Sequence, residues 1–413
     1  MTREPLDTLA DAPRMLVPTA HELRCPACGT LRVQQFHEIR DVPANSCILM
    51  PTEKEARACL RSAITLTYCG DCGFVFNRDF SQARTEYSSR YEETQGFSGT
   101  FNRFHEGLAR RLIEKYDLHG KSVLEIGCGK AEFLALLAQI GGNRCVGIDP
   151  GVKAERLPVE VRDRIQCIPD FYSEKYGHHA VDFLVCKMTL EHIEAPFEFM
   201  STIRRGLGDQ KDTVVFFQIP ETMRILRECA FEDIYHEHCA YFTPGSLARL
   251  FRRTGFDVVA LDVEYGAQYL TIEARPRQDV FACERRVGLE DDLAESAELV
   301  SSFPRRISEK LGAWREVLTR AHAEGKSIAL WGSGSKAVSF LTALDPQGNI
   351  RYVTDINPNR HDYFMPKSAQ RIVSPRELGQ IAPDLVVVMN GIYEGEIRAD
   401  LASMGLQPEI RCL

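Results

Sequence analysis

An apolar strand that runs straight into a pair of glycines and then into a helix constrains this chain more than any other feature. Val123-Leu124-Glu125-Ile126-Gly127-Cys128-Gly129 form the strand and turn, and Ala131 to Ile140 follow at helical spacing. The sequence around it has the same grammar. A helix over Asn102–Tyr116 precedes it, a strand at Arg144–Asp149 follows, and further apolar runs, VDFLVCKM and DTVVFFQIP, lead to YLTIEARP near residue 275. Helices alternating with apolar runs predict an α/β domain built on a parallel sheet. Residues 284–325 carry mixed charge at helical spacing and predict a helical connector. A second, shorter series of the same kind then runs from SIALWG through RYVTD to DLVVVMN. Residues 1–85 hold two cysteine pairs and little long periodic structure, so boundaries are expected near 85 and 280, giving units at 1–85, 86–280 and 281–413.

Length and composition agree with this division. The chain has 413 residues, enough for two or three domains of roughly 100–200 residues each. Its 44% hydrophobic and 26% charged residues suit a globular protein and exclude a disordered or collagen-like chain. No apolar stretch approaches the ~20 residues of a membrane span, and the first 25 residues lack a basic region followed by an apolar run, so a cytoplasmic protein without membrane association is expected. A formal charge of −8 argues against wrapping nucleic-acid phosphates.

Fourteen cysteines in such a chain point to thiols and metal ligands before disulfides. Cys25-Pro-Ala-Cys28-Gly and Cys69-Gly-Asp-Cys72-Gly are two C-x-x-C-G knuckles whose glycines permit tight turns. Four thiolates make a closed tetrahedral set for a structural Zn²⁺ and leave no position open for water chemistry. Unmetallated turns, a redox C-x-x-C and a nucleic-acid-binding ribbon are the other readings, and the last lacks a dense basic cluster between the knuckles.

The first glycine turn discriminates between cofactors. A dinucleotide fingerprint wants a small residue three places beyond the second glycine, and Glu132 stands there. Glu125 lies inside the strand end instead, and Asp149 ends the next strand. E-x-G-x-G with that second acid resembles the class I S-adenosylmethionine (SAM)-dependent methyltransferases. The resemblance implies SAM as cofactor, bound by Glu125, Gly127 and Gly129, with Asp149 on the ribose hydroxyls and Asp170 with Phe171 at the adenine.

Downstream, Phe231-Glu232-Asp233-Ile234-Tyr235-His236-Glu237-His238-Cys239 packs titratable groups into an apolar and aromatic setting. Together with the knuckles, the E-x-G-C-G turn and the second α/β series, it resembles the nucleotide-sugar C-methyltransferases acting on deoxyketosugars. That family implies a class I methyltransferase core, an N-terminal zinc module and a second, C-terminal Rossmann-like α/β domain. Its Tyr-x-Glu-His run falls on Tyr235, Glu237 and His238, and its histidine after the fourth strand falls on His192. Its tyrosine just before the core falls on Tyr91, with Tyr87 as the alternative. Methylating carbon needs an enolate, hence a base beside a ketone, and His238 is the candidate base. Glu237 could fix its tautomer or hold a sugar hydroxyl, while Tyr235 or His192 could donate to the enolate oxygen. His236 reads as a structural histidine. A His-x-His metal site lacks a third ligand nearby in sequence.

A second turn, Gly332-Ser333-Gly334-Ser335-Lys336-Ala337, satisfies G-x-G-x-x-A, and Asp355 ends the next strand. It fits the dinucleotide rule, so an NAD(P)-dependent oxidoreductase domain is one reading. In the resembled family this unit helps hold the nucleotide sugar, which implies Gly332, Gly334 and Lys336 on the diphosphate; a scaffold is the third reading. Asn390, at another strand end where open α/β sheets bind ligands, is a further candidate substrate contact, with a simple turn as the other reading. The expected partner is a small nucleotide-linked 4-keto-6-deoxy sugar, the expected state a monomer, and an O-methyltransferase on another small molecule would keep the same SAM site.

Overall fold

The computed structural model describes residues 23–88, 90–177, 179–278, 286–345 and 348–413. The opening segment, on which the expectation of no leader rests, lies outside them. Among the described residues no helix is long and apolar enough to cross a membrane.

The central sheet has seven strands in the order Phe256–Glu264, Tyr269–Pro276, Val214–Pro220, Phe183–Lys187, Ser122–Ile126, Arg144–Ile148, Ile165–Ile168. The last five are parallel, and Tyr269–Pro276 runs antiparallel to Val214–Pro220. Continuous apolar runs explain the interior positions: every residue of Phe183–Lys187 is buried, as are the first six of Val214–Pro220. Burying a side chain such as Phe216 or Phe217 contributes about 1.5–3 kcal/mol. The helix Gly99–Tyr116 covers one face. Ser98 caps it by accepting from Phe101 N, and Asp117 ends it in a left-handed conformation (φ 49°). This is the class I methyltransferase fold.

The carboxyl-terminal domain is a five-stranded parallel sheet in the order Ile372–Val373, Tyr352–Thr354, Ile328–Trp331, Leu385–Val388, Glu409–Cys412. The connector is the long helix Leu293–Ala323, as its charge pattern predicts.

The amino-terminal unit departs from expectation. It contains two long antiparallel strands, Val33–Pro43 and Arg61–Cys69, where little regular structure is predicted. The first alternates only partly between buried and exposed and carries two register shifts, which blurs its period-2 signal. Its four-stranded sheet is completed by Val75–Asn77 and by Ala240–Tyr241, the latter from deep within the methyltransferase segment. A boundary at 85 therefore does not separate independent sheets.

Each parallel sheet reverses its strand order at its first strand, Ser122–Ile126 and Ile328–Trp331. Open α/β sheets bind ligands in the crevice at the carboxyl end of such a switch point. Here both crevices open into one cleft of about 590 Å³, which Tyr87, Tyr91, Glu93 and Gln95 also line.

Candidate active site

The first glycine turn forms the floor of one end of the cleft. Gly127 and Gly129 adopt φ of 70° and 54°, which favours glycine. A Cβ on Gly127 would collide with the Thr189 side chain, and one on Gly129 would lie 2.8 Å from Glu93 Oε1. The turn is thus open on the cleft side only because both positions lack side chains. Asp149 accepts from Gly129 N at 3.0 Å and Gly151 N at 2.7 Å, and burial raises its pKa. Glu125 is buried with Oε2 unpartnered, and burial pushes its pKa up to about 8. Asp170 is held at the surface by Lys175, by Tyr176 Oη at 2.6 Å and by Phe171 N at 2.8 Å, and Phe171 is 56% exposed at the rim. A backbone cradle free of side chains, flanked by an acid on the next strand and an orphaned buried carboxyl, fits a nucleoside carrying a zwitterionic tail.

The histidine run lies beside this cradle and the structure gathers it with residues far away in sequence. Tyr235 Oη and His238 Nε2 are 2.8 Å apart, and the His192 and His238 rings meet edge to face with centroids at 4.8 Å. Burial and the neighbouring His192 hold the His238 pKa well below the usual histidine range, so its ring is neutral near pH 7. His192 Nδ1 lies 3.0 Å from Glu237 O; a carbonyl only accepts, so Nδ1 carries the proton and Nε2 keeps its lone pair. Burial lowers His192 to about 4. Glu237 accepts from Tyr91 Oη at 2.7 Å and from the Ser46 hydroxyl at 3.0 Å and backbone N–H. Burial raises its pKa against these donors.

Both candidate tyrosines reach the site. Tyr91 bonds Glu237, and Tyr87 Oη lies 2.9 Å from His192 Nδ1. His236 does not: it is fully buried, its Nδ1 donates to Ala63 O at 3.0 Å, and Phe80 stacks on it. The His-x-His pair does not gather a third ligand; a different set, Glu191, His192 and His238, brings ligand atoms within 4.8 Å of one another, and His236 stays outside it.

The second glycine turn faces the opposite end of the cleft. Gly332 has φ 106°, and Gly334 caps the helix Ser335–Leu344. Lys336 reaches the cleft, but its Nζ contacts both carboxylate oxygens of Asp233 at 2.6 Å, and Arg224 binds the same carboxylate. Burial opposes ionisation of Asp233, yet Lys336 and Arg224 outweigh it and hold the pKa down to about 2. Arg224 also pairs with Glu228 at 3.2 Å, so the two cations meet two carboxylates and Lys336 is held by Asp233. Asp355 accepts from Ser333 N at 2.7 Å, Ser333 Oγ at 2.6 Å and Asn357 N at 2.8 Å, so its oxygens are committed within the domain. Asn390 is engaged too, in a reciprocal amide pair with Gln268 of the central sheet at 2.9 and 3.0 Å.

The cysteine knuckles converge as their spacing predicts. Cys25 and Cys72 Sγ lie 3.7 Å apart, Cys28 and Cys69 Sγ 3.6 Å, and all four within 4.8 Å of one another. Zinc–sulfur bonds of about 2.3 Å at tetrahedral angles separate sulfurs by about 3.8 Å. The donor set fits that ion.

Several lining residues escaped sequence reasoning. Lys130, buried just beyond the first turn, donates to Tyr91 O at 3.0 Å and contacts Glu93 at 3.4 Å, tying the amino-terminal segment to the turn. Ser46, Glu93 and Arg224 had no motif. Lys187 and Gln218 did leave a signal: each is a polar residue within an otherwise apolar strand.

Fold and cleft together define a SAM-dependent methyltransferase. Residues 101–261 match the family described as "Methyltransferase domain", and residues 273–407 match "C-methyltransferase C-terminal domain". The two matches follow one another along the chain, the first on the central sheet and the second on the connector and the carboxyl-terminal sheet. It is 27% identical to the C-methyltransferase NovU of Streptomyces niveus over 310 residues, covering 70% of this chain and 71% of that protein. It is 26% identical to a ubiquinone biosynthesis O-methyltransferase of Neisseria meningitidis over 183 residues, covering 39% of this chain and 75% of that one. A solved structure of the Burkholderia thailandensis 1,6-didemethyltoxoflavin-N1-methyltransferase with S-adenosylhomocysteine matches at 18% identity, covering 42% of this chain and 79% of that one, with a TM-score of 0.33.

Proposed function

We propose that this C-methyltransferase transfers a methyl group from SAM to the carbon beside the ketone of a nucleotide-linked 4-keto-6-deoxy sugar. The observation that carries the reading is the buried His238, Tyr235, His192 and Glu237 cluster, standing between a glycine cradle suited to SAM and two cationic side chains, Lys336 and Arg224, suited to a diphosphate. SAM supplies an electrophilic methyl; the chain must make the sugar carbon beside the ketone nucleophilic, so that it takes the methyl as the carbon–sulfur bond breaks and S-adenosylhomocysteine leaves. His238 is neutral and holds a lone pair, so it can take the α-proton. Tyr235 and Tyr87 keep their hydroxyl protons because burial raises their pKa, and either can donate to the enolate oxygen. Glu237, braced by Tyr91 and Ser46, anchors the run and offers an acceptor to a sugar hydroxyl. Asp149 takes the ribose hydroxyls, and Asp170 and Phe171 flank the adenine. Because Asp355 accepts three hydrogen bonds where Asp149 accepts two, and Lys336 stands beside the turn, the carboxyl-terminal turn is read as a seat for the sugar nucleotide and not for a nicotinamide cofactor. Cys25, Cys28, Cys69 and Cys72 hold one structural zinc.

Mass spectrometry of incubations with SAM and a panel of nucleotide ketosugars tests the reaction. The expected product is 14 mass units heavier per methyl, with deuterium washed in from heavy water at the α-carbon. A product methylated on oxygen, or no α-exchange with any ketosugar, defeats the reading. Elemental analysis of protein purified without chelators is expected to give about one zinc per chain.

A further inference from the structure

We infer that Lys187 and Gln218 form the seat for the carboxylate at the end of the cofactor's methionine tail. Lys187 ends the strand Phe183–Lys187, and Gln218 lies opposite it in the register of Val214–Pro220. Paired residues on parallel strands project from the same face, and both side chains line the cleft.

Each is a donor without an adequate acceptor. Lys187 is a buried cation whose ammonium contacts His105 Nε2 and lies 4.0 Å from the centre of the Phe133 ring. Among the described residues no carboxylate makes an ion pair with it within 4.0 Å; Glu125, Glu132 and Glu264 act on it from farther away, and burial outweighs them in lowering its pKa to about 8. His105 is kept neutral by burial and by the ammonium itself, so it accepts one N–H and leaves two. Gln218 is 1% exposed and its Nε2 has no partner. A cation and an amide donor buried side by side are costly to leave unpaired, and a carboxylate satisfies both with charge-assisted hydrogen bonds.

Strand order says which carboxylate. This step rests on the proposed seating of the ribose at Asp149. That strand lies on one side of Ser122–Ile126, and Phe183–Lys187 lies on the other. With the ribose at Asp149 and the adenine toward Asp170, the tail must cross Gly127 in the opposite direction, toward Lys187. The same end of the cleft holds the unpartnered Glu125 Oε2, an acceptor for the ammonium of that tail.

Calorimetry on the full-length protein separates this from other roles. S-adenosylhomocysteine carries the carboxylate; 5′-methylthioadenosine has the same nucleoside and thioether without it. Lys187→Met is expected to weaken the first on the order of 10- to 100-fold, and Gln218→Met by several-fold, with 5′-methylthioadenosine bound as by the unaltered protein. Equal losses for both ligands, or none for either, overturn the assignment. So does a variant that binds S-adenosylhomocysteine normally but shows a raised KM for the acceptor, which would give the pair to an anion on the acceptor. Should Lys187→Met fail to fold, the unaltered protein is titrated with the carboxyl methyl ester of S-adenosylhomocysteine. A loss of similar size is expected there, and equal affinity of ester and acid rejects the proposal. Asp149→Ala is the separate control: unchanged affinity for both nucleosides would break the ribose placement and leave the Lys187 result to be judged on its own ligand pair.

Discussion

The two glycine turns share a preceding strand, a G-x-G spacing and an acid at the end of the next strand, yet they differ in what they leave unsatisfied. Around Gly127, buried polar atoms of Glu125, Glu191 and Gln218 have no partner, and among the described residues no carboxylate pairs with Lys187 within 4.0 Å. Around Gly332 the acid is more fully bonded than Asp149, which accepts two hydrogen bonds, and the unpartnered buried atoms are Arg224 Nε and Glu232 Oε2. Asp355 is filled by Ser333 and Asn357, and the buried Arg360 donates to Ser333 O at 2.9 Å and to Glu92 O. Buried groups without partners are costly, so a fold retains them where a ligand completes them. The same local pattern thus stands beside unpartnered buried groups of the central sheet in one domain and beside a more fully bonded acid in the other, where Lys336, Arg224 and Asp233 bring charge to the cleft.

The largest expected effect lies between the two turns. His238→Asn keeps a polar side chain but cannot cycle a proton near neutral pH. Methyl transfer is expected to fall ~10²–10⁴-fold with both substrates still bound, and deuterium wash-in at the sugar α-carbon should fall in parallel. Retained exchange at full rate would move the base to Tyr87, Tyr91, His192 or Tyr235.

Next comes the ligand-completed turn. Asp149→Ala removes the acceptor proposed for two ribose hydroxyls, and its affinity for S-adenosylhomocysteine should drop on the order of 10- to 100-fold by calorimetry. Unchanged affinity would show that Asp149 serves only the N–H groups of Gly129 and Gly151. A smaller change is expected from Lys336→Ala: KM for the sugar nucleotide rising about tenfold, with S-adenosylhomocysteine bound as before. Arg224 would remain on Asp233, which is why the effect is limited. A KM that does not move would leave the second turn as scaffold.

These sites were not equally readable beforehand. Strands of the central sheet, both glycine turns and the Tyr235 to His238 run are local patterns, so spacing and hydropathy expose them. His192 joins them because a residue just past a parallel strand lands at the carboxyl edge of the sheet, which strand order dictates. The contacts of Ser46 with Glu237 and of Tyr87 with His192 span 191 and 105 positions and depend on how the amino-terminal sheet docks. That docking relies on Ala240–Tyr241 pairing with Val75–Asn77, a two-residue strand with no periodic signal of its own. Lys187 and Gln218 were visible as polar interruptions of apolar strands, but only the register shows them to be neighbours.

The sharpest test of the contrast is also the smallest in size. Asp355 occupies the position where a dinucleotide-binding domain places its ribose acceptor, yet here its oxygens hold the Ser333 amide and hydroxyl and the Asn357 amide. Asp355→Ala should therefore behave as the loss of a turn brace. Removing an ionised acceptor from three donors is expected to cost about 1–3 kcal/mol, seen as earlier unfolding of the carboxyl-terminal domain in denaturant. Affinity for S-adenosylhomocysteine should not change, because the first turn keeps its own acid. Fluorescence titration should show no NADH binding before or after the substitution. Tight NADH binding that Asp355→Ala abolishes would mean that the internal bonds open for a ligand. The two turns would then be alike in function as well as in sequence pattern, and the distinction drawn from their unsatisfied groups would fail.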